Sequence, residues 1–269
     1  MPRIRVGEVE LFYQRTGPAR PPSLVLIMGW GGDHTAWALQ VAALAAEFDV
    51  IAFDNRGAGQ SDAPDVTYSM ADMAEDVTGL MDELGVRSAH IAGASMGGMI
   101  AQEVALRHPD RVLSLQLHCT TAHVDEWGRA VIDNFLRAKA HGSVEEFTLF
   151  VLPWLLCRKT FAERRDFVEM WIQRALEYPF QTTLVGLNRQ AQAIRGHDTR
   201  DRLAKLHMPT LITTGTEDIL VPPSASDDLH ERIAGSEIVR IPEAGHMHFL
   251  EQAPVFNETI LSFLHKHLN

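Results

Sequence analysis

Between His90 and Met99 the chain reads His-Ile-Ala-Gly-Ala-Ser-Met-Gly-Gly-Met, with Gly93 and Gly97 two positions before and two after Ser95. Ala89 to Ala92 reads as a short buried strand. Gly98 to Arg107 carries Met99, Ile100, Val104, Ala105 and Leu106 at helical spacing and stops before Pro109. A strand that becomes a helix across so few residues must turn sharply. Such a turn forces the serine into a strained backbone conformation and leaves no room for side chains beside it, and glycine meets both demands. The hydroxyl then stands at a helix N-terminus, where backbone N–H groups and the helix dipole favour a developing negative charge. Ser95 is therefore the candidate nucleophile; a plain helix N-cap would not need the flanking glycines.

The rest of the chain supplies elements of the kind such a turn belongs to. Ile4 to Thr16 alternates as a hairpin turning at Gly7, and Ser23 to Met28 is a continuous apolar run, as expected of a strand covered on both faces. It opens into Met28-Gly29-Trp30-Gly31-Gly32, after which Asp33 can cap a helix through Trp37 to Ala46. Val50 to Phe53 and Val112 to Cys119 read as further strands, and Met70 to Leu84 as a helix. From about 122 to 197 the texture changes to helical patterns with no strand between them, at Trp127 to Ala140, Val144 to Leu156 and Phe161 to Leu176. Strand periodicity returns at Thr210 to Thr213 and Glu237 to Ile241, with helices from about Ser224 to Ile233 and from about Pro254. Strands alternating with helices predict an α/β fold built on a mostly parallel sheet flanked by helices. Residues 1–121 and 198–269 form its core, and 122–197 a helical cap.

With 269 residues, 46% of them hydrophobic, the chain can bury one large core. The 35 acidic and 24 basic residues give a formal charge of −11, which argues against nucleic acid or an anionic membrane as partner. No apolar run approaches the roughly 20 residues of a membrane span, and the N-terminus lacks a secretory signal's apolar stretch, so a small-molecule partner in the cytoplasm is expected. Cys119 and Cys157 read as reduced core thiols, and no Cys/His spacing marks a zinc site. Neither a metal nor an organic cofactor is expected, and the oligomeric state stays open, a homodimer included.

Five motifs in one order resemble the α/β-hydrolase superfamily over nearly the whole chain. They are the apolar strand into Met28-Gly29-Trp30-Gly31, the turn Asp54-x-Arg56-Gly57-x-Gly59-x-Ser61, the Gly93-to-Gly97 elbow, Gly215-x-x-Asp218-x-x-Val221-Pro222, and Gly245-His246 leading to Leu250-Glu251-Gln252. The resemblance is nearest to capped carboxylesterases, 3-oxoadipate enol-lactonase-like proteins and C–C bond hydrolases. It implies a triad in the order nucleophile, acid, base, at Ser95, Asp218 and His246, with the backbone N–H groups of Trp30 and Met96 as oxyanion hole. Asp198, Asp201 and Asp125 compete with Asp218, and His248 competes with His246. Arg56 reads as an ion-pairing residue that holds its turn.

The activity implied is hydrolysis of a small carboxylic ester through an acyl-serine, with an enol-lactonase as the runner-up. C–C hydrolysis is the weaker reading, because Ala94 and Met247 stand where C–C hydrolases tend to carry Asn and an aromatic residue. A small-molecule receptor on the same fold is the alternative of another class. The cap aromatics Phe147, Phe150, Trp154, Phe161, Trp171 and Phe180 suggest an apolar pocket wall, with Trp154, Phe150 and Met247 as pocket candidates.

Overall fold

A computed structural model describes residues 2–19 and 22–268. Its strands are β1 (Arg3–Val6), β2 (Val9–Thr16), β3 (Ser23–Ile27), β4 (Asp49–Phe53), β5 (Ala89–Ala94), β6 (Val112–His118), β7 (Thr210–Gly215) and β8 (Glu237–Ile241). They form one sheet in the order β1-β2-β4-β3-β5-β6-β7-β8. β1 and β2 make the expected hairpin through Gly7, and β2 runs antiparallel to β4; from β4 to β8 every pairing is parallel.

The helices are α1 (Ala38–Leu44), α2 (Met70–Glu83), α3 (Met96–Arg107), α4 (Glu126–His141), α5 (Val144–Leu155), α6 (Arg158–Glu163), α7 (Arg165–Glu177), α8 (Leu184–Arg195), α9 (Pro223–Arg232), α10 (His248–Glu251) and α11 (Ala253–Lys266). Side-chain direction along β3 shows why that strand is apolar throughout. Leu24 and Leu26 pack with Leu44, Phe256, Ile260 and Phe263 of α1 and α11, while Val25 and Ile27 pack with Met73, Val77, Met99 and Ile100 of α2 and α3. Both faces of the sheet are therefore covered. Among the described residues no helix is long and apolar enough to cross a membrane.

Local signals set several of the helix ends. Ser69 and Asp72 form a capping box on α2, and Ser143 and Glu146 form another on α5. Asp33 accepts the Thr35 N–H as expected, although the helix it starts is first a 3-10 turn at His34–Trp37 and only then α1. The long helix read at Phe161 to Leu176 is instead two, α6 and α7, broken at Arg164. The Arg164 guanidinium donates to the Glu251 carbonyl at 2.7 Å and lies 4.4 Å from the Phe167 ring centroid. That long-range contact accompanies a break no local breaker residue announces. The fifth helix between β6 and β7, α8, and the single turn α10 have no counterpart among the elements read from periodicity. Arg56 does hold its turn: its Nε and Nη2 donate to Asp76 of α2 at 2.5 and 2.6 Å. Cys119 and Cys157 are both free and buried.

Candidate active site

Ser95 sits between β5 and α3 at φ 56°, ψ −121°, a region that costs a non-glycine residue strain. The neighbouring chain explains the glycines. A Cβ on Gly93 would lie 2.1 Å from the Gly97 carbonyl oxygen, and one on Gly97 would lie 2.1 Å from that of Ile27. The strained residue is held by its backbone: its N–H donates to the His118 carbonyl at 2.8 Å, and its own carbonyl accepts from Thr120 Oγ1 at 2.7 Å.

Asp218 follows β7 and is buried. Its Oδ1 accepts the Leu220 and Val221 N–H groups, both at 2.9 Å, which leaves Oδ2 to meet His246 Nδ1 at 2.8 Å. The loop after β8 thus delivers His246 to a carboxylate whose direction is already set. With Nδ1 engaged, Nε2 is the nitrogen left to exchange a proton. Ser95 and His246 line the same cavity, of about 320 Å³. No hydrogen bond joins the Ser95 hydroxyl to the ring among the described residues, as is common before substrate draws such contacts together.

The competing residues are occupied elsewhere. Asp125 caps α4 through the Gly128 N–H, and Asp201 is exposed. Asp198 pairs with Arg200, which lowers its pKa to about 2. His248 is fully buried on the other side of its turn, with Nε2 2.7 Å from Thr213 Oγ1, and burial holds its pKa well below the ordinary value.

The Trp30 loop lies against the elbow, since a Cβ on Gly29 would come within 2.9 Å of Ser95 Cβ. The N–H groups of Trp30 and Met96 donate to no acceptor among the described residues, whereas that of Gly31 donates to Gln190 Oε1 at 2.9 Å. Helix α8 fixes this loop. Trp30 Nε1 donates to the Leu187 carbonyl at 3.0 Å, and Gln190 Nε2 donates to the Arg56 carbonyl at 2.8 Å. Gln190 thus ties two glycine-rich loops together, and a lone glutamine on an amphipathic helix carries no sequence signal of it.

The cavity wall differs from the one expected. Met247 lines it, but Trp154 and Phe150 do not. Their rings pack on Phe135, at centroid distances of 5.9 and 5.6 Å, so they form a layer behind it, and Phe135 takes the inner position. Phe147, Trp171 and Phe180 also line the cavity, whereas Phe161 is exposed on α6. Asp33, His34 and Asp54 bring two carboxylates and an imidazole together, side chains of the kind that bind metals. The Asp54 carboxylate is already engaged by the backbone N–H and Nδ1 of His34 and by the Gln60 N–H, an arrangement that holds two loops.

Glu251 joins the His246 loop to the helices above the sheet. Its Oε2 accepts the Gly245 N–H at 2.6 Å, and its Oε1 accepts the Cys157 N–H at 2.8 Å and Thr160 Oγ1 at 2.5 Å. In Glu251→Gln an amide nitrogen would face one of these donors, leaving buried groups unpaired at about 1–3 kcal/mol each. Equilibrium urea denaturation should show that loss. The kcat of the same preparation, corrected for folded enzyme, should fall as the His246 loop loosens. An unchanged kcat would confine Glu251 to stability.

A sequence profile of the α/β-hydrolase fold matches residues 22–253. The chain belongs to the α/β-hydrolase family. This hydrolase is 32% identical to a protein of Azorhizobium caulinodans whose assigned name is carbamate hydrolase RutD, over 98% of each chain. It is 28% identical to 3-oxoadipate enol-lactonase 1 of Acinetobacter baylyi, over 94% of this chain and 92% of that one. Among solved structures, the enol-lactonase of Burkholderia xenovorans superimposes with a TM-score of 0.89 at 30% identity, covering 98% of this chain and 99% of the other. A thermophilic esterase of Thermogutta terrifontis gives 0.89 at 29% identity over the full length of both.

Proposed function

We propose that this hydrolase cleaves carboxylic esters of small molecules through an acyl-Ser95 intermediate, with His246 as base, Asp218 as its orienting acid and no cofactor. The observation that carries this reading is the 2.8 Å contact of His246 Nδ1 with Asp218, made beside a cavity shared by His246 and Ser95. His246 Nε2 takes the Ser95 proton as the hydroxyl attacks the carbonyl carbon, then returns it to the departing alcohol. Asp218 holds the tautomer and stabilises the imidazolium. The tetrahedral oxyanion is met by the N–H groups of Met96 and Trp30, and such a donor is worth about 2.7–4 kcal/mol in the transition state. Water activated by His246 then releases the acid. Residues 122–197 act as a cap that closes the apolar side of the site, and the enzyme works in the cytoplasm on a dissolved substrate.

A second reading, a lactone as substrate, is favoured by the likeness to two enol-lactonases. The chemistry is the same, with the alcohol staying tethered to the acyl group. Both readings require a reactive Ser95. A serine-directed alkyl phosphonate should add one adduct per chain at Ser95, localised by mass spectrometry, and should abolish turnover of 4-nitrophenyl acetate in proportion. An adduct on another residue, or turnover that survives full labelling, would overturn the assignment.

A further inference from the structure

Two cationic side chains line an otherwise mostly apolar cavity: Lys139 of α4 and Arg174 of α7. Neither head group forms an ion pair or hydrogen bond among the described residues. Each instead lies against a ring that also lines the cavity: Lys139 Nζ 5.2 Å from the centroid of Phe147, and Arg174 Cζ 5.7 Å from that of Trp171. Their neighbours behave differently. Arg129 of α4 and Arg165 of α7 reach Glu126 and Glu169 one helical turn away, and Arg137, which has no carboxylate partner among the described residues, lies outside the lining.

Among the described residues the one carboxylate in the lining is Asp33, whose Oδ1 accepts the N–H and hydroxyl of Thr35 at the start of its helical turn. Lys139 is half-buried, and burial lowers its pKa, whereas Arg174 is exposed and supplies a hydrated charge. A charge removed from water without a partner is costly, and an anionic ligand would relieve that cost. The whole chain carries a formal −11, so its general field repels anions, and these two side chains reverse the sign locally.

We propose that the substrate carries a carboxylate at the end remote from the scissile bond, and that Lys139 and Arg174 hold it. The inference rests on Ser95 being the acyl-transfer nucleophile, and it adds the substrate's charge. The planar guanidinium fork suits a carboxylate's two oxygens, and the ammonium supplies a second, mobile charge. The surrounding, mostly apolar wall takes the chain between carboxylate and ester.

The test is a ratio of kcat/KM values for matched esters. One arm compares the mono-4-nitrophenyl esters of adipate and pimelate with the corresponding carboxamides, placing the charge in the acyl half. The other compares 3-acetoxybenzoate with 3-acetoxybenzamide, placing it in the alcohol half. The wild type should favour the carboxylate by about tenfold or more in one arm, the size of one good charge-assisted hydrogen bond. Lys139→Met and Arg174→Met should each lower that ratio several-fold, and the double variant should bring it near one. Because each ratio is taken within one preparation, loss of folded enzyme cancels. Neutral esters turned over with no carboxylate preference in either arm, or a preference the double variant retains, would overturn this inference alone. A protein that turns over no ester and takes no phosphonate at Ser95 would overturn the proposed function, and this inference with it.

Discussion

Ser95→Ala should lower kcat on a 4-nitrophenyl ester by about 10⁵-fold or more while leaving the urea midpoint close to wild type, because nucleophile and base act as a unit and removal of either disables both. The expected stability follows from the geometry. The elbow is held through the Ser95 backbone, by the His118 carbonyl and the Thr120 hydroxyl, and alanine keeps those bonds together with the Cβ that lies beside Gly29. Only the hydroxyl is lost. Stopped-flow turnover and equilibrium unfolding on one preparation check both halves, and activity within tenfold of wild type would remove Ser95 from the mechanism.

His246→Ala should cost at least about 10³-fold in kcat/KM and flatten the acid limb of the pH profile. A protonated imidazole cannot accept the Ser95 proton, so wild-type kcat/KM should rise with pH and then level off. His248 cannot be the source of that limb. Burial lowers its pKa, which favours the neutral ring, and its Nε2 is engaged by Thr213. His248→Ala should therefore keep the limb. What it should lose is stability, on the order of 2 kcal/mol, by opening a cavity in a closely packed region beside Phe249 and Phe256. A limb abolished by His248→Ala and retained in His246→Ala would move the base and overturn the assigned register of this loop.

The two histidines mark where sequence reasoning reaches its limit. They are two residues apart, and strand-like alternation would point both to one side. In the structure the chain bends at Met247, φ −91° and ψ 39°, and enters α10 at once, so His248 turns away towards Thr213. The same limit governs the pocket. Helical spacing marked α4 and α5 as helices, but periodicity gives the phase of a helix, not the identity of its neighbour. Trp154 and Phe150 proved to be the layer behind Phe135, and the Trp30 loop is held by Leu187 and Gln190 of a helix that periodicity did not announce.

By itself the sequence determined what depends on neighbours in the chain. Gly93, Ser95 and Gly97 dictate a strained turn, Leu24 to Ile27 a strand buried on both faces, and Ser69 and Asp33 the starts of helical segments, because each is a requirement of local sterics or local hydrogen bonding. The order of Ser95, Asp218 and His246 came instead from resemblance to the family's motifs, each lying beyond a strand. Only the tertiary structure decided which oxygen of Asp218 meets His246, how Glu251 ties Gly245 to Cys157, and that Lys139 and Arg174 share one cavity. Those facts join residues 28 to 94 positions apart, or sit on helices whose separation in space no periodicity encodes.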